Sequence, residues 1–213
     1  MKRILCYGDS NTWGYIPGGL GRYEEAVRWT GRLQQRLGAD YRVIEAGLSG
    51  RTTSYDDPTS DYRNGRRGLG YALFESAPID LLIVSLGTND LKFTTAAGSA
   101  RGLNALLRSV RHLYSLAIGD VTGLSCPQIL VISPIAIGAE IDSKEPGGSL
   151  CGCHKQSLEF AKHYRVVCEA VGAQFMDGGE YASPDPTDCV HMSEVSHEKL
   201  AEAVFEKVKE LLG

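Results

Sequence analysis

Residues 80–90 read DLLIVSLGTND. Leu81 to Leu86 form an almost unbroken apolar run, too short for a helix of ordinary length. A run of that kind suits a strand buried on both faces, as in a parallel sheet covered by helices on either side. The chain then leaves the strand abruptly at Gly87-Thr88-Asn89-Asp90, where polar side chains would sit at the strand's carboxyl end.

Four more short apolar runs have the same character: RILCY at 3–7, YRVIEA at 41–46, QILVIS at 128–133 and AQFMD at 173–177. Between them lie segments with helical spacing. Arg28 to Leu37 is stopped by Gly38, and residues 99–117 place Leu103, Leu106, Leu107, Val110, Leu113 and Leu116 on one stripe. The final segment repeats the pattern with Leu200, Val204, Phe205, Val208, Leu211 and Leu212, and Ser193 is positioned as its N-cap. Strands alternating with helices in this way predict an α/β class fold of three layers, with a five-stranded parallel sheet and helices on both faces. No repeat, linker or change of composition divides residues 1–213, so they read as a single domain. Residues 50–70 and 134–150 are expected to be irregular loops over a site or a partner surface.

Bulk composition narrows the partners. The chain has 213 residues, 43% hydrophobic and 23% charged, with a net charge of −4 and no basic run. A phosphate backbone finds little to bind, so no nucleic acid partner is expected. No apolar stretch reaches the roughly 18–20 residues that cross a bilayer, and Lys2-Arg3 leads directly into ILCYG. The expectation is a cytoplasmic protein with no membrane partner. Six cysteines could suggest a disulfide framework, but such frameworks stabilise small secreted chains, so these are read as mostly reduced thiols. Cys151-Gly152-Cys153-His154 is the one cluster that resembles a metal or redox site. It lacks the second ligand pair that structural zinc requires, so a thiol-rich loop is the preferred reading and no metal is expected; a Cys151–Cys153 link or a redox role stays open.

In an open parallel sheet, ligands bind outside the carboxyl ends of the strands. Those ends carry Gly8-Asp9-Ser10-Asn11-Thr12, Gly47-Leu48-Ser49-Gly50-Arg51, Gly87-Thr88-Asn89-Asp90, Pro134 and, after the fifth run, Asp188-Cys189-Val190-His191. A serine hydroxyl becomes a nucleophile when a base takes its proton, and the base works best when a carboxylate fixes its tautomer. Ser10, His191 and Asp188 supply that set, the last two at a spacing that lets both reach one side of a tight turn. The backbone N–H of Gly47, the amide of Asn89 and the N–H of Ser10 are candidate donors to an oxyanion. Taken singly, each has a plainer explanation: Ser10 and Asn89 as turn residues, Gly47 as a strand-end glycine, Asp188 as a helix cap. Their convergence on one sheet edge favours chemistry.

GDSNT at 8–12, Gly47 within EAGLSGRTT, LGTND at 86–90 and DCVH at 188–191 resemble, in order, the four motif blocks of the SGNH hydrolases, the GDSL-type esterases and lipases. The longer stretches RILCYGDSNTWGY, VRWTG and NDLKF resemble the bacterial aryl esterases that also transfer acyl groups to alcohols or peroxide. The resemblance implies a flavodoxin-like fold and a metal- and cofactor-independent esterase. Ser10 would be the nucleophile, His191 the base and Asp188 its orienting acid, with Ser10, Gly47 and Asn89 forming the oxyanion hole. Asn11 stands where the family name has leucine and would polarise the pocket floor; Trp13 would form a pocket wall. The substrate expected is a small or aryl carboxylic ester, its acyl group passing from serine to water or another nucleophile. A homo-oligomer also fits the resemblance.

Other functions are open to the same residues. A carbohydrate O-deacetylase or thioesterase would differ only in the leaving group, selected by the loops at 50–70 and 134–156. A non-catalytic module holding a phosphate or nucleotide at Gly8–Thr12 would need a glycine cradle or P-loop lysine, and neither is present. An α/β-hydrolase would need G-x-S-x-G, which neither GDSNT nor GLSGR supplies.

Overall fold

The structure is a computed structural model and describes residues 1–19, 21–115 and 123–213. Five strands, β1 (Lys2–Gly8), β2 (Tyr41–Gly47), β3 (Leu81–Ser85), β4 (Gln128–Ser133) and β5 (Gln174–Asp177), form one sheet in the order β2-β1-β3-β4-β5. Every neighbouring pair is parallel. The expected α/β architecture is therefore present, with the strands within a residue or two of the apolar runs.

The sheet is covered on both faces because successive residues of each strand point to opposite sides. Leu5, Tyr7, Leu82, Val84 and Val131 face one layer, where they pack against α3 (Gly65–Ser76), α4 (Ala96–Leu113) and α5 (Phe160–Val171). Ile4, Cys6, Ile83, Leu130 and Ile132 face the other, against α2 (Trp29–Leu37) and α6 (Glu194–Leu212). Ser193 caps α6, its hydroxyl accepting from the Ser196 N–H at 3.3 Å. Helix α4 begins at Ala96, with Thr95 as its N-cap, earlier than the apolar stripe suggests; Leu116, the last position of that stripe, lies outside the described residues.

The 50–70 segment departs from expectation, since its last residues open α3. Gly65, Gly68 and Gly70 give that stretch poor intrinsic helix propensity. Burial of Leu69 and Leu73 in the core, and the Tyr7 hydroxyl donating to the Gly65 carbonyl at 2.7 Å, hold it helical. Residues 134–150 are largely irregular but contain one helical turn, Ile141–Lys144.

Strand order changes direction between β1 and β3, and there the sheet leaves a crevice at its carboxyl edge. A single helical turn, α1 (Ser10–Trp13), sits on that edge. Gly8 and Gly47 are paired across β1 and β2. A Cβ on Gly8 would lie 2.0 Å from Thr12 Oγ1, and one on Gly47 would lie 2.2 Å from the Trp13 backbone nitrogen. Only glycine lets α1 lie this close to the strand ends. No helix among the described residues is long and apolar enough to cross a membrane.

Candidate active site

Asp9 is the N-cap of α1: its Oδ1 accepts from the Asn11 N–H at 3.0 Å, which turns the chain so that Ser10 opens the helix. Burial pushes the Asp9 carboxyl up to about 6, against the opposing effect of that hydrogen bond and of the charges on His191 and Arg51. Ser10 Oγ lies 3.0 Å from His191 Nε2, and His191 Nδ1 lies 2.7 Å from Asp188 Oδ2. Three side chains separated by up to 181 positions in the chain thus form one hydrogen-bonded line. This is the arrangement in which a serine can pass its proton to an imidazole whose tautomer is set by a carboxylate.

The segment bearing His191 does not directly follow β5, because a 3₁₀ turn at Gly178–Glu180 and further loop intervene. It is built around Asp188. Oδ1 accepts from the Val190 N–H at 3.0 Å and the His191 N–H at 2.9 Å, while Oδ2 also accepts from the Gly18 N–H at 3.2 Å. Burial opposes ionisation of Asp188, but the side-chain and backbone hydrogen bonds from His191, with that from Val190, outweigh it and hold the carboxyl at about 2. Asp188 is therefore ionised at every working pH. The tight loop forces Cys189 to φ 62°, a left-handed conformation costly for a residue other than glycine.

Asn11 has a structural task that its place in the motif does not reveal. Its side chain is 9% exposed, with Oδ1 accepting from the Met192 N–H at 2.9 Å and Nδ2 donating to the Val190 carbonyl at 3.3 Å. Both ends of the amide bind the residues flanking His191, so Asn11 ties the base-bearing loop to the nucleophile turn. The Trp13 ring lies under the Arg22 guanidinium at 4.9 Å and beside Tyr15. Tyr15 lines the cleft with Ser10, its ring 4.3 Å from the His191 ring.

Asn89 lies on the 3₁₀ turn Thr88–Lys92 that follows β3 and is 6% exposed. Its Nδ2 donates to the Arg51 carbonyl at 3.2 Å. An amide nitrogen carries two protons, and Asn89 shares a cleft of about 240 Å³ with Ser10 and His191. Gly47, at the end of β2, packs against the Thr12 and Trp13 backbone of α1.

Several supports were not legible as site residues. Arg51 donates to the Gly8 and Ala46 carbonyls and stacks on Tyr7 at 4.0 Å beneath the nucleophile turn. Asp90 is fully buried and accepts from Thr53 N–H and Oγ1, each at 2.8 Å, and from Ser99 Oγ at 2.5 Å. Burial raises the Asp90 carboxyl to about 6 despite those hydrogen bonds. The motif GRTT, next to a predicted strand end, was the available signal for Arg51 and Thr53.

The thiol loop is held by local polar contacts. His154 Nδ1 contacts the Ile137 carbonyl at 2.6 Å and Cys153 Sγ points to the Leu91 carbonyl at 3.5 Å. All six cysteines are free, and among the described residues no cluster of His, Cys, Asp and Glu could hold a metal ion.

The sequence model of the GDSL-like lipase/acylhydrolase family matches residues 6–199. Among solved structures, the native aryl esterase of M. smegmatis is 38% identical with a TM-score of 0.91, each chain covered in full. A carbohydrate acetylesterase from Sinorhizobium meliloti is 34% identical with a TM-score of 0.91, again with full coverage of both chains. A lipase/acylhydrolase from Enterococcus faecalis, 19% identical over 99% of this chain and 96% of its own, shares the fold with a TM-score of 0.65. A comparison with curated proteins gave no match.

Proposed function

The chain belongs to the GDSL-like lipase/acylhydrolase family and is a carboxylic ester hydrolase of the serine type; from that premise we propose that Ser10, His191 and Asp188 carry the reaction. The observation that carries the assignment is the continuous line of contacts, 3.0 Å from Ser10 to His191 and 2.7 Å from His191 to Asp188.

The chemistry follows from the groups present. Neutral His191 takes the Ser10 proton through Nε2 as Oγ attacks the ester carbonyl, and ionised Asp188 stabilises the imidazolium through Nδ1. The carbonyl oxygen gains a negative charge in the tetrahedral intermediate. Asn89 Nδ2 and the N–H groups of Ser10 and Gly47 are the donors proposed for it. Collapse of the intermediate breaks the bond to the alcohol, which leaves with the proton from His191. Water, deprotonated by the same imidazole, then attacks the acyl-serine and releases the acid.

A small aryl or acetyl ester fits the cleft of about 240 Å³, in keeping with the aryl esterase relative. Deacetylation of a carbohydrate is the second reading. It is favoured by the polar side chains in that cleft, Ser49, Thr88 and Ser149 among them, and by the acetylesterase relative. Intact mass after treatment with a fluorophosphonate tests the site: the wild type gains one adduct and Ser10→Ala gains none. An adduct retained in Ser10→Ala and lost in Ser49→Ala would move the nucleophile. Turnover of aryl acetates against acetylated sugars separates the two substrate readings.

A further inference from the structure

The cleft that holds Ser10 also presents Arg63 and Lys92, and neither has a role in the acyl-transfer chemistry. Lys92 ends the 3₁₀ turn that begins at Thr88. Residues three apart eclipse one another on a 3₁₀ helix, so Lys92 stands on the same face as Asn89 and both line the cleft. The Lys92 stem is partly buried. Among the described residues, Lys92 takes part in no ion pair within 4.0 Å.

Burial, and next the charge of Arg63, push the Lys92 ammonium below the ordinary lysine range, while Asp57, Asp9 and Glu145 act in the opposite direction. Arg63 is tied at one end, its Nη1 donating to Asp57 Oδ2 at 2.7 Å. Its Nε packs against Gly50, so the guanidinium is held in place along the edge of the cleft. Two cationic side chains therefore line the cleft beside the nucleophile, and the Lys92 ammonium has no counter-ion within 4.0 Å. A cation held in a partly desolvated cleft without a counter-ion gains from an anionic partner. Glu145, the one carboxylate lining this cleft, makes no ion pair within 4.0 Å with either cation.

We propose that Lys92, beside the Arg63 side chain, forms a subsite for an anionic oxygen group on the ester, such as a carboxylate. The proposal rests on the esterase reading above and names the substrate class of that site: esters that carry a negative charge close to the scissile bond. The charge can lie on the acyl or on the alcohol portion, so the test has two arms.

In the acyl arm, kcat/KM is measured for mono-para-nitrophenyl adipate against para-nitrophenyl hexanoate. In the alcohol arm, para-acetoxybenzoate is compared with para-acetoxybenzamide. The wild type should prefer the anionic ester in at least one arm by about tenfold, the factor that one charge-assisted hydrogen bond contributes. That arm locates the carboxylate. In Lys92→Met the ratio should fall towards one, and Lys92→Arg should restore part of it. A second measurement needs no variant: raising the ionic strength should lower the wild-type ratio while a buried neutral contact would not respond. Ratios of one or less in both arms, with the neutral esters turned over, overturn the subsite and leave the esterase reading standing. Equal losses for anionic and neutral esters in Lys92→Met would make Lys92 an oxyanion stabiliser, which also overturns it. Failure of the wild type to turn over any of the four esters overturns both.

Discussion

Asn11→Ala is the substitution that best separates a clamp from a pocket residue. In the structure the Asn11 amide bridges Met192 N–H at 2.9 Å and Val190 carbonyl at 3.3 Å, with His191 between them. Alanine removes both bonds and leaves the Met192 N–H, on a residue 1% exposed, without its acceptor. Two net hydrogen bonds at roughly 1 kcal/mol each, plus part of the desolvation penalty of an orphaned buried donor, come to about 2–4 kcal/mol. For a chain of this length that lowers Tm by about 4–16 °C. Activity should fall as well, because the loop that carries His191 loses its tie to the turn that carries Ser10. A displacement near ~1 Å at a catalytic base can cost about a hundredfold, so kcat should drop by about tenfold to a hundredfold with KM little changed. Thermal melts and steady-state kinetics on an aryl acetate provide both readouts. A variant with wild-type Tm, wild-type kcat and a strongly raised KM would refute the clamp and return Asn11 to the pocket floor.

Asn89→Ala should lower kcat by about 10²–10³ with little effect on KM, because its amide meets the oxygen most strongly once that oxygen is charged; a rise in KM alone would make it a ground-state contact. Asp90→Ala removes the acceptor of Thr53 N–H, Thr53 Oγ1 and Ser99 Oγ in a fully buried site. It should cost about 2–5 kcal/mol in denaturant melts, and a loss below about 1 kcal/mol would show that the network is not a support. His197, fully buried, accepts the Trp29 N–H at Nδ1 over 3.2 Å, and burial, then the charges of Arg32 and Arg28, lower it from 6.5 to about 3. Its folded-state value is depressed, so the unfolded chain binds the extra proton between those values. The stability it contributes is whole above pH 6.5 and is lost as pH falls towards 3. Asp9 and Asp90, both raised from 3.8 to about 6, act with the opposite sign between those values, since the folded chain protonates first there. Melts of His197→Asn across this range should show a shallower acid loss than the wild type, and an unchanged slope would assign the acid loss elsewhere.

The strands were legible because a parallel strand buried on both faces must be apolar at consecutive positions, and LLIVS and ILVI carry that requirement in their local composition. Ser10, Asp188 and His191 could be named for a similar reason. Each lies in a short motif whose residue types are demanded by chemistry, and Asp188 and His191 are close enough in the chain for one turn to join them. Helix α3 was not legible, since its glycines argue against a helix and the contacts that overrule them come from Tyr7 and the core. The roles of Asn11, Tyr15, Arg51 and Lys92 were hidden more deeply. An amide in a GDSNT turn reads equally well as a pocket group or a strut, and only the docking of residues 190–192 against it, 179–181 positions away in the chain, settles which of its atoms remain available. Sequence determines which chemistry the strand ends can offer, because side-chain type is local. Tertiary structure decides which of those groups meet, because hydrogen-bond partners over such separations are set by how the helices close over the sheet.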